Sequence, residues 1–458
     1  MKNTDTVAAI STASGNSGIG IIRVSGSESI NIVDKIFKSH IDNKKLIDVK
    51  SHSANLGYIM DGDTVIDQVL VIVMKGPNSY TGEDVVEIDC HGGMLVMKKV
   101  LELCIKNGAK TAMPGEFSKR AFLNGKMDLS QAESIMDIIN AGNDRALSTS
   151  INQLKGGVSE KIKEIREDIL YHLAYIESAL DDPEHISLDG YDEEINKMLT
   201  TNIEKIDKLI KSFDNGRIIK EGIKTVILGK PNAGKSSLLN LLIGEDKAIV
   251  TDIEGTTRDA LEENISFNGL NLNVIDTAGI RETKDVVEKI GVEKSKQLAN
   301  DADLIIYVVD GSKHLDDNDY EIINIIKDRE FVVIINKSDM DTVVNIDEIK
   351  DLTDKIIIFS AKEKKGVDEL GEIIKDMFYN EEISYNDQIY ITNIRQKECL
   401  DESLNSLYKV KESVDNMMPE DFYAIDLMDA YAALGRITGE SVEDDLVNEI
   451  FSKFCMGK

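Results

Sequence analysis

The chain has 458 residues, with 53 basic and 83 acidic side chains, and a formal net charge of −30. Its length predicts about three domains, each with its own core, and a hydrophobic content of 42% excludes a disordered chain. Cys90, Cys104, Cys399 and Cys455 form no paired framework, which argues against a secreted disulfide scaffold. No apolar run approaches the ~18 residues a membrane span needs. The opening MKNTDTVAAI carries an acid within five residues and no apolar signal core, so the expected location is cytoplasmic. A surplus of acid repels polyanions, and any RNA contact needs a local basic patch or a partner that supplies one.

Residues 1 to about 120 read as short β-rich segments broken by turns. In VIDQVLVIVMKGP, Val69, Val71 and Val73 alternate with Leu70, Ile72 and Met74, which predicts a strand buried on both faces. From Ser130 onward Pro and Gly become sparse. Ile195, Leu199, Ile203, Ile206, Ile210 and Phe213 fall at three- and four-residue spacing, an amphipathic helix that the break at Asp214 to Arg217 is expected to end. Between 217 and 380, aliphatic runs alternate with helical stretches: KTVILG, LNVIDTAG, DLIIYVVDGS, FVVIINKSD and KIIIFSAK. That alternation predicts a mainly parallel sheet covered on both faces. Helical patterning returns after 381. The simplest architecture is multi-domain: an N-terminal α+β domain (1–120), then a helical domain (121–216 and 381–458) interrupted by an inserted α/β domain (217–380).

Gly229-Lys230-Pro231-Asn232-Ala233-Gly234-Lys235-Ser236 fits G-x-x-x-x-G-K-[ST] between a strand and a helical run. Backbone N–H groups from Asn232 to Ser237 can wrap phosphates, Lys235 can neutralise them, and the Ser236 hydroxyl can ligate Mg²⁺. Asp276-Thr277-Ala278-Gly279 closes the next aliphatic run, where an Asp can hold Mg²⁺ and a glycine N–H can meet the γ-phosphate. Asn336-Lys337-Ser338-Asp339 follows a later strand. Its Asp339 can accept from N1–H and the exocyclic amine of guanine, which adenine cannot offer. Ser360-Ala361-Lys362 then offers a backbone N–H to the guanine oxygen. In order and spacing the set resembles the Ras-like P-loop GTPases, which implies GTP binding.

Thr251-Asp252-Ile253-Glu254-Gly255-Thr256-Thr257-Arg258-Asp259 falls where such a domain has its first switch, with Thr257 a second Mg²⁺ hydroxyl. Arg258 fits an arginine finger or a simple ion pair, and both readings stand. Ile280 follows Gly279 where many relatives carry the water-orienting glutamine. Glu282, Asp285 and Glu288 are the candidates to replace it, unless they form a solvated acidic face.

GTTRD, PNAGKSSLLN and DTAGIRET together resemble the tRNA modification GTPases (the MnmE/TrmE family) that act with a flavoprotein on the wobble uridine. SYTGEDVVEIDCHGG, PGEFSKRAFLNGKMDLSQAE, TNIRQKECL and the final Cys455-Met456-Gly457-Lys458 are similar to the same family. The resemblance implies a tetrahydrofolate-binding N-terminal domain that forms a homodimer. Arg23, Glu87, Lys126 and Lys458 match its folate positions, as cations for the folate carboxylates and an acceptor for pterin N–H groups; without that match they read as structural ion pairs. It implies K⁺ held by Asn232 with the backbone around Thr251, Ile253 and Thr256, supplying charge where an arginine finger otherwise sits. It makes Glu288 the water-positioning residue and the G domains partners across their nucleotide faces. It further implies an FAD- and NADH-using partner, a folate one-carbon unit, and aminomethyl or carboxymethylaminomethyl transfer to C5 of the uridine on tRNA. The family's first loop usually carries prolines, whereas this chain has Thr12-Ala13-Ser14-Gly15-Asn16-Ser17-Gly18, a less pre-organised loop.

Cys455 sits where a prenylation motif would place it, but Gly457 and Lys458 do not fit that motif. Beside Lys453 and Lys458 it suits a chemical role, as nucleophile, redox group or positioning group; the alternative is an inert thiol packed behind Phe451 and Phe454. Cys90-His91, with six scattered histidines and no C-x-x-C, gives no zinc site. Asp181-Asp182-Pro183-Glu184 reads as a solvated loop ending a helix. A regulatory GTPase switch in ribosome assembly would explain the nucleotide motifs but leaves the N-terminal segments and the C-x-G-K tail without a role.

Overall fold

A computed structural model describes residues 5–13, 15–41, 44–245, 262–275, 291–378, 389–440 and 444–458. The chain divides into two compact units, one of residues 1–136, 153–202 and 402–458, the other of 137–152 and 203–401. Among the described residues no helix is long and apolar enough to cross a membrane.

The first unit contains strands β1 (Val7–Ile10), β2 (Gly20–Ser25), β3 (Phe37–Ser39), β4 (Ser53–Asp61), β5 (Thr64–Met74), β6 (Val85–Cys90) and β7 (Lys110–Thr111), in the order β3-β4-β5-β6-β2-β1-β7. All pairings are antiparallel except β1 with β7. Strict alternation decides which face is covered. Ile22, Val24, Val69, Val71, Val73, Val86 and Ile88 form a core with Ile32 and Val33 of helix Ser29–Ile36 and Met97 and Val100 of helix Met94–Lys106.

This corrects the expectation for β5. Val69, Val71 and Val73 are buried, but Leu70 is 37% exposed and Ile72 and Met74 are half-buried, so the strand has one core face. Both helices lie over the valine face, and an antiparallel sheet needs cover on one side only.

The helical part of the first unit packs Gly157–Asp181 against Glu420–Thr438. The former ends at Asp181, with Asp182 as its C-cap, and the loop that follows is exposed.

In the second unit, β8 (Ile223–Leu228), β9 (Glu262–Phe267), β10 (Leu270–Ile275), β11 (Leu304–Asp310), β12 (Phe331–Asn336) and β13 (Ile356–Ile358) are ordered β13-β12-β11-β8-β10-β9. Five run parallel, as the continuous Val/Ile runs predict. The sixth, β9, is an antiparallel edge strand joined to β10 by the left-handed pair Asn268-Gly269 (φ 49° and 75°). Its sequence, EENISF, has too few aliphatics to announce a strand.

Helix Tyr191–Glu221 runs straight through Asp214-Asn215-Gly216-Arg217, where the sequence suggested a break. Tertiary contacts override propensity here. Ile218 and Ile219 are buried beyond it, and Arg217 pairs with Asp303 (Nη2 to Oδ1, 2.6 Å). A Cβ on Gly216 would collide with the Ile391 carbonyl, so this glycine serves a close approach.

Candidate functional site

Strand β8 delivers the chain into the loop Gly229–Gly234, and helix Lys235–Glu245 begins where the loop ends. Gly229 (φ 147°), Asn232 (64°) and Gly234 (105°) turn the backbone back on itself. The result faces an open cavity of about 430 Å³ lined by Asn232, Gly234, Lys235, Ser236, Ser237, Asn336, Lys337, Asp339, Met340, Ala361 and Lys362. Two widely separated sequence motifs therefore meet, the phosphate loop after β8 and the base loops after β12 and β13. Lys235 Nζ donates to the carbonyls of Gly229 (2.6 Å) and Lys230 (2.9 Å), and burial pushes its ammonium below the ordinary lysine value. An anion arriving beside Lys235 would compensate that desolvation.

The two loops are tied directly. Asn336 is buried; its Nδ2 donates to Ala233 O (2.8 Å), and its Oδ1 accepts from Ala361 N (3.4 Å). Asp339 Oδ1 accepts from the Ser360 hydroxyl at 3.0 Å, and Lys362 Nζ lies 3.8 Å from Oδ2. Lys337 adopts a left-handed φ of 67°, held by its ammonium on Asp310 Oδ2 (2.7 Å). Asp310 in turn accepts from Ser312 N and Oγ. Burial opposes its ionisation, but the bonds from Lys337 and Ser312 outweigh that and hold its carboxyl below the usual aspartate range.

Asp310 and Met340 were not among the sequence-derived site residues. The turn DGS after β11 was the available signal for Asp310, whereas Met340 shows only its neighbourhood to Asp339. Thr251, Asp252, Ile253, Glu254, Gly255, Thr256, Thr257, Asp276, Thr277, Ala278, Gly279 and Glu288, with Arg258 and Ile280, lie outside the described residues. Ser236 lines the cavity beside Lys235, and its hydroxyl would hold Mg²⁺, which would neutralise phosphate charge when bound.

A second cluster forms in the N-terminal sheet. Arg23 and Glu87 are cross-strand partners on β2 and β6, with Nε and Nη2 of the arginine both 2.8 Å from Glu87 Oε1. The guanidinium stands 5.0 Å from the Tyr80 ring and 5.5 Å from Phe117, and Nη1 donates to Gly457 O (3.4 Å). Lys126 Nζ donates to Pro77 O (3.1 Å), in the loop that supplies Tyr80. The C-terminal residues are seated by their backbone: Ser11 Oγ donates to Gly457 O, Gly115 N to Cys455 O, and Phe117 N to Lys458 O. Gly457 has φ 85°, and a Cβ there would strike Ile10 O. Cys455 is exposed, whereas Cys90, Cys104 and Cys399 are buried. A cation, a carboxylate and two rings at the end of a seated tail suit a ligand that carries both carboxylates and a planar donor-bearing ring. Tyr80 and Phe117 escaped the sequence reading because nothing in their spacing joins them to Arg23. Cys90 donates through Sγ to Gly20 O and His91 pairs with Asp67; among the described residues no cluster could hold a metal.

A phosphate loop hydrogen-bonded to an N-K-x-D loop, which is itself bonded to an S-A-K loop, defines a guanine-nucleotide-binding protein of the P-loop class. Residues 129–455 match the model of the MnmE helical domain, and residues 6–126 that of the GTP-binding protein TrmE N-terminus. The tRNA modification GTPase MnmE of Lachnoclostridium phytofermentans is 55% identical over 99% of this chain and 100% of its own length. That of Acetivibrio thermocellus is 49% identical over 100% of both. A shorter likeness, to the G domain of the T. maritima FeoB iron transporter, covers 34% of this chain and 97% of that one at 26% identity, with a TM-score of 0.25. The chain belongs to the MnmE/TrmE family of tRNA modification GTPases. It is a GTP-hydrolysing enzyme with an N-terminal domain, a helical domain and a P-loop GTPase domain.

Proposed function

We propose that this GTPase works on tRNA, coupling GTP hydrolysis to the installation of an aminomethyl or carboxymethylaminomethyl group at C5 of the wobble uridine. The one-carbon unit would come from a 5-formyl- or 5,10-methylene-tetrahydrofolate bound by Arg23, Glu87, Lys126 and Lys458. An FAD- and NADH-dependent partner protein would complete the chemistry in the cytoplasm, with this chain as a homodimer and the partner supplying much of the tRNA surface. In this reading the GTPase domain (217–380) is inserted in the helical domain (121–216 and 381–458), behind the N-terminal domain (1–120).

The observation that carries this reading is the seating of the C-terminal tail, which brings Gly457 O to Arg23 and leaves the Cys455 thiol exposed nearby. A seated tail that ends in an exposed thiol supports a chemical role over a switch without chemistry. For hydrolysis, Lys235 would hold the phosphates, Ser236 and Thr257 the Mg²⁺, and Glu288 the attacking water. K⁺ would sit on Asn232, which faces the cavity from a left-handed turn, and would add positive charge near the phosphates when bound. Mass spectrometry of tRNA nucleosides from cells lacking the gene, with and without a plasmid copy, tests the function. Loss of C5-modified uridines with rescue supports it, and their persistence with no second gene copy ends it. C455S with GTP hydrolysis intact and modification lost would exclude the switch reading. GTPase assays in K⁺ against Na⁺ at equal ionic strength test Asn232.

A further inference from the structure

Lys230 occupies one of the four unspecified positions of the phosphate-loop motif, and its side chain does not line the nucleotide cavity. Its Nζ turns away to lie 2.5 Å from Asp319 Oδ2 and 2.8 Å from Asp316 Oδ2. Those two aspartates form the capping box of helix Asp317–Ile326, so their positions are fixed by the helix start. Asp319 is 2% exposed, and its other oxygen accepts from the hydroxyl of Tyr307, itself 1% exposed on β11 (2.8 Å). At its other end, Lys230 offers its carbonyl to Lys235 Nζ (2.9 Å). The residue is thus fastened twice, by its main chain to the phosphate-neutralising lysine and by its side chain to a buried carboxylate that also accepts from Tyr307 and from Asp316 N.

We propose that Lys230, Asp319 and Tyr307 are positioning residues for the nucleotide. They hold the first half of the phosphate loop in its bound shape before GTP arrives. Gly229, before Lys230, has a freely variable φ because it lacks a Cβ, and Asn232, after Pro231, holds a φ of 64° that non-glycine residues adopt uncommonly, so an untethered loop would sample other shapes. Without the tether, ordering them would be charged against nucleotide binding. The mechanism acts on affinity rather than on the chemical step, because none of the three side chains lines the cavity. It needs only the GTPase identity and is independent of the tRNA and folate readings.

The test uses the full chain with Mg²⁺, measuring the Kd for GDP by titration calorimetry and steady-state GTP hydrolysis. K230M is expected to raise Kd and KM about tenfold while kcat stays within about twofold, and K230R to recover most of that loss. A folded K230M with unchanged KM, a fall in kcat at constant KM, or a K230R as weak as K230M would each overturn the proposal. If K230M does not fold, Y307F decides: it removes one hydroxyl from Asp319, a rise in GDP Kd of roughly two- to fivefold is expected, and an unchanged Kd refutes the tether.

Discussion

The side-chain amide of Asn336 fills the space that a Cβ on Gly234 would need, and the same amide donates to the carbonyl of Ala233 beside it. One hydrogen bond therefore sets the distance between the loop that reads the base and the loop that holds the phosphates. Gly234 is also at φ 105°, so G234A combines backbone strain with a direct collision. Nucleotide binding is expected to fall by at least about 100-fold, measured as GDP affinity, while the melting of the N-terminal unit stays unchanged.

Asp339 has one oxygen on Ser360 and points its carboxylate into the cavity wall. D339N replaces one acceptor with a donor, which opposes the exocyclic amine of guanine and suits the 2-carbonyl of xanthine, while the remaining oxygen still accepts from N1–H. GTP hydrolysis at low substrate is expected to drop on the order of 10⁴-fold, with xanthosine triphosphate becoming the better substrate. Parallel kcat/KM measurements on the two nucleotides check this, and an unaltered preference would remove Asp339 from base recognition.

The ion pair of Asp310 with Lys337 gives a pH dependence of definite sign. Because the folded carboxyl titrates below its unfolded value, near 3.9, its contribution is complete above that pH and disappears as pH falls through the folded value. D310N should cost about 2 kcal/mol at pH 7, read from urea unfolding, and the gap between variant and parent should close in acid.

Thiol chemistry separates the four cysteines. Burial pushes the Cys90 thiol up to about 11, helped by Asp67, and burial pushes Cys104 up to about 12. Cys399 is buried as well, and Cys455 alone is exposed. Native protein at pH 8 should release one fast equivalent from a thiol reagent, absent in C455S, and the remaining thiols should react only on unfolding.

The tail offers a backbone test. G457A would strain a φ of 85° and drive a methyl group into Ile10 O. The tail should leave its seat, which exposes it to carboxypeptidase and weakens any ligand shared by Arg23 and Lys458 by about tenfold or more. Equal digestion rates for G457A and parent would mean that the seat does not depend on this glycine.

The parallel sheet and the base and phosphate motifs of the second unit were legible in the sequence because nucleotide binding forces small residues into short, fixed spacings at strand ends. Lys235, Asn336, Asp339 and Ala361 are read from such spacing, and they meet around one cavity. What stayed hidden depends on contacts between distant segments. Nothing near Lys230 in the sequence names Asp319, and nothing near Arg23 names Tyr80 or Phe117. Gly216 looked like a helix breaker, yet Ile391 shows it to be a contact point. The one-sided burial of β5 could not be read either, because Leu70, Ile72 and Met74 are as apolar as the valines they alternate with. A pattern of aliphatics records what a strand tolerates and is silent on which side a helix will cover.

The order β13-β12-β11-β8-β10-β9 sets the loops that select the base at one edge of the sheet and the phosphate loop two strands further in. Substitutions at the ends of β12 and β13 are therefore expected to alter base preference with less effect on the phosphate end of the site. Choice of nucleotide and use of it are set at separate strand ends in this architecture, and the amide of Asn336 joins them.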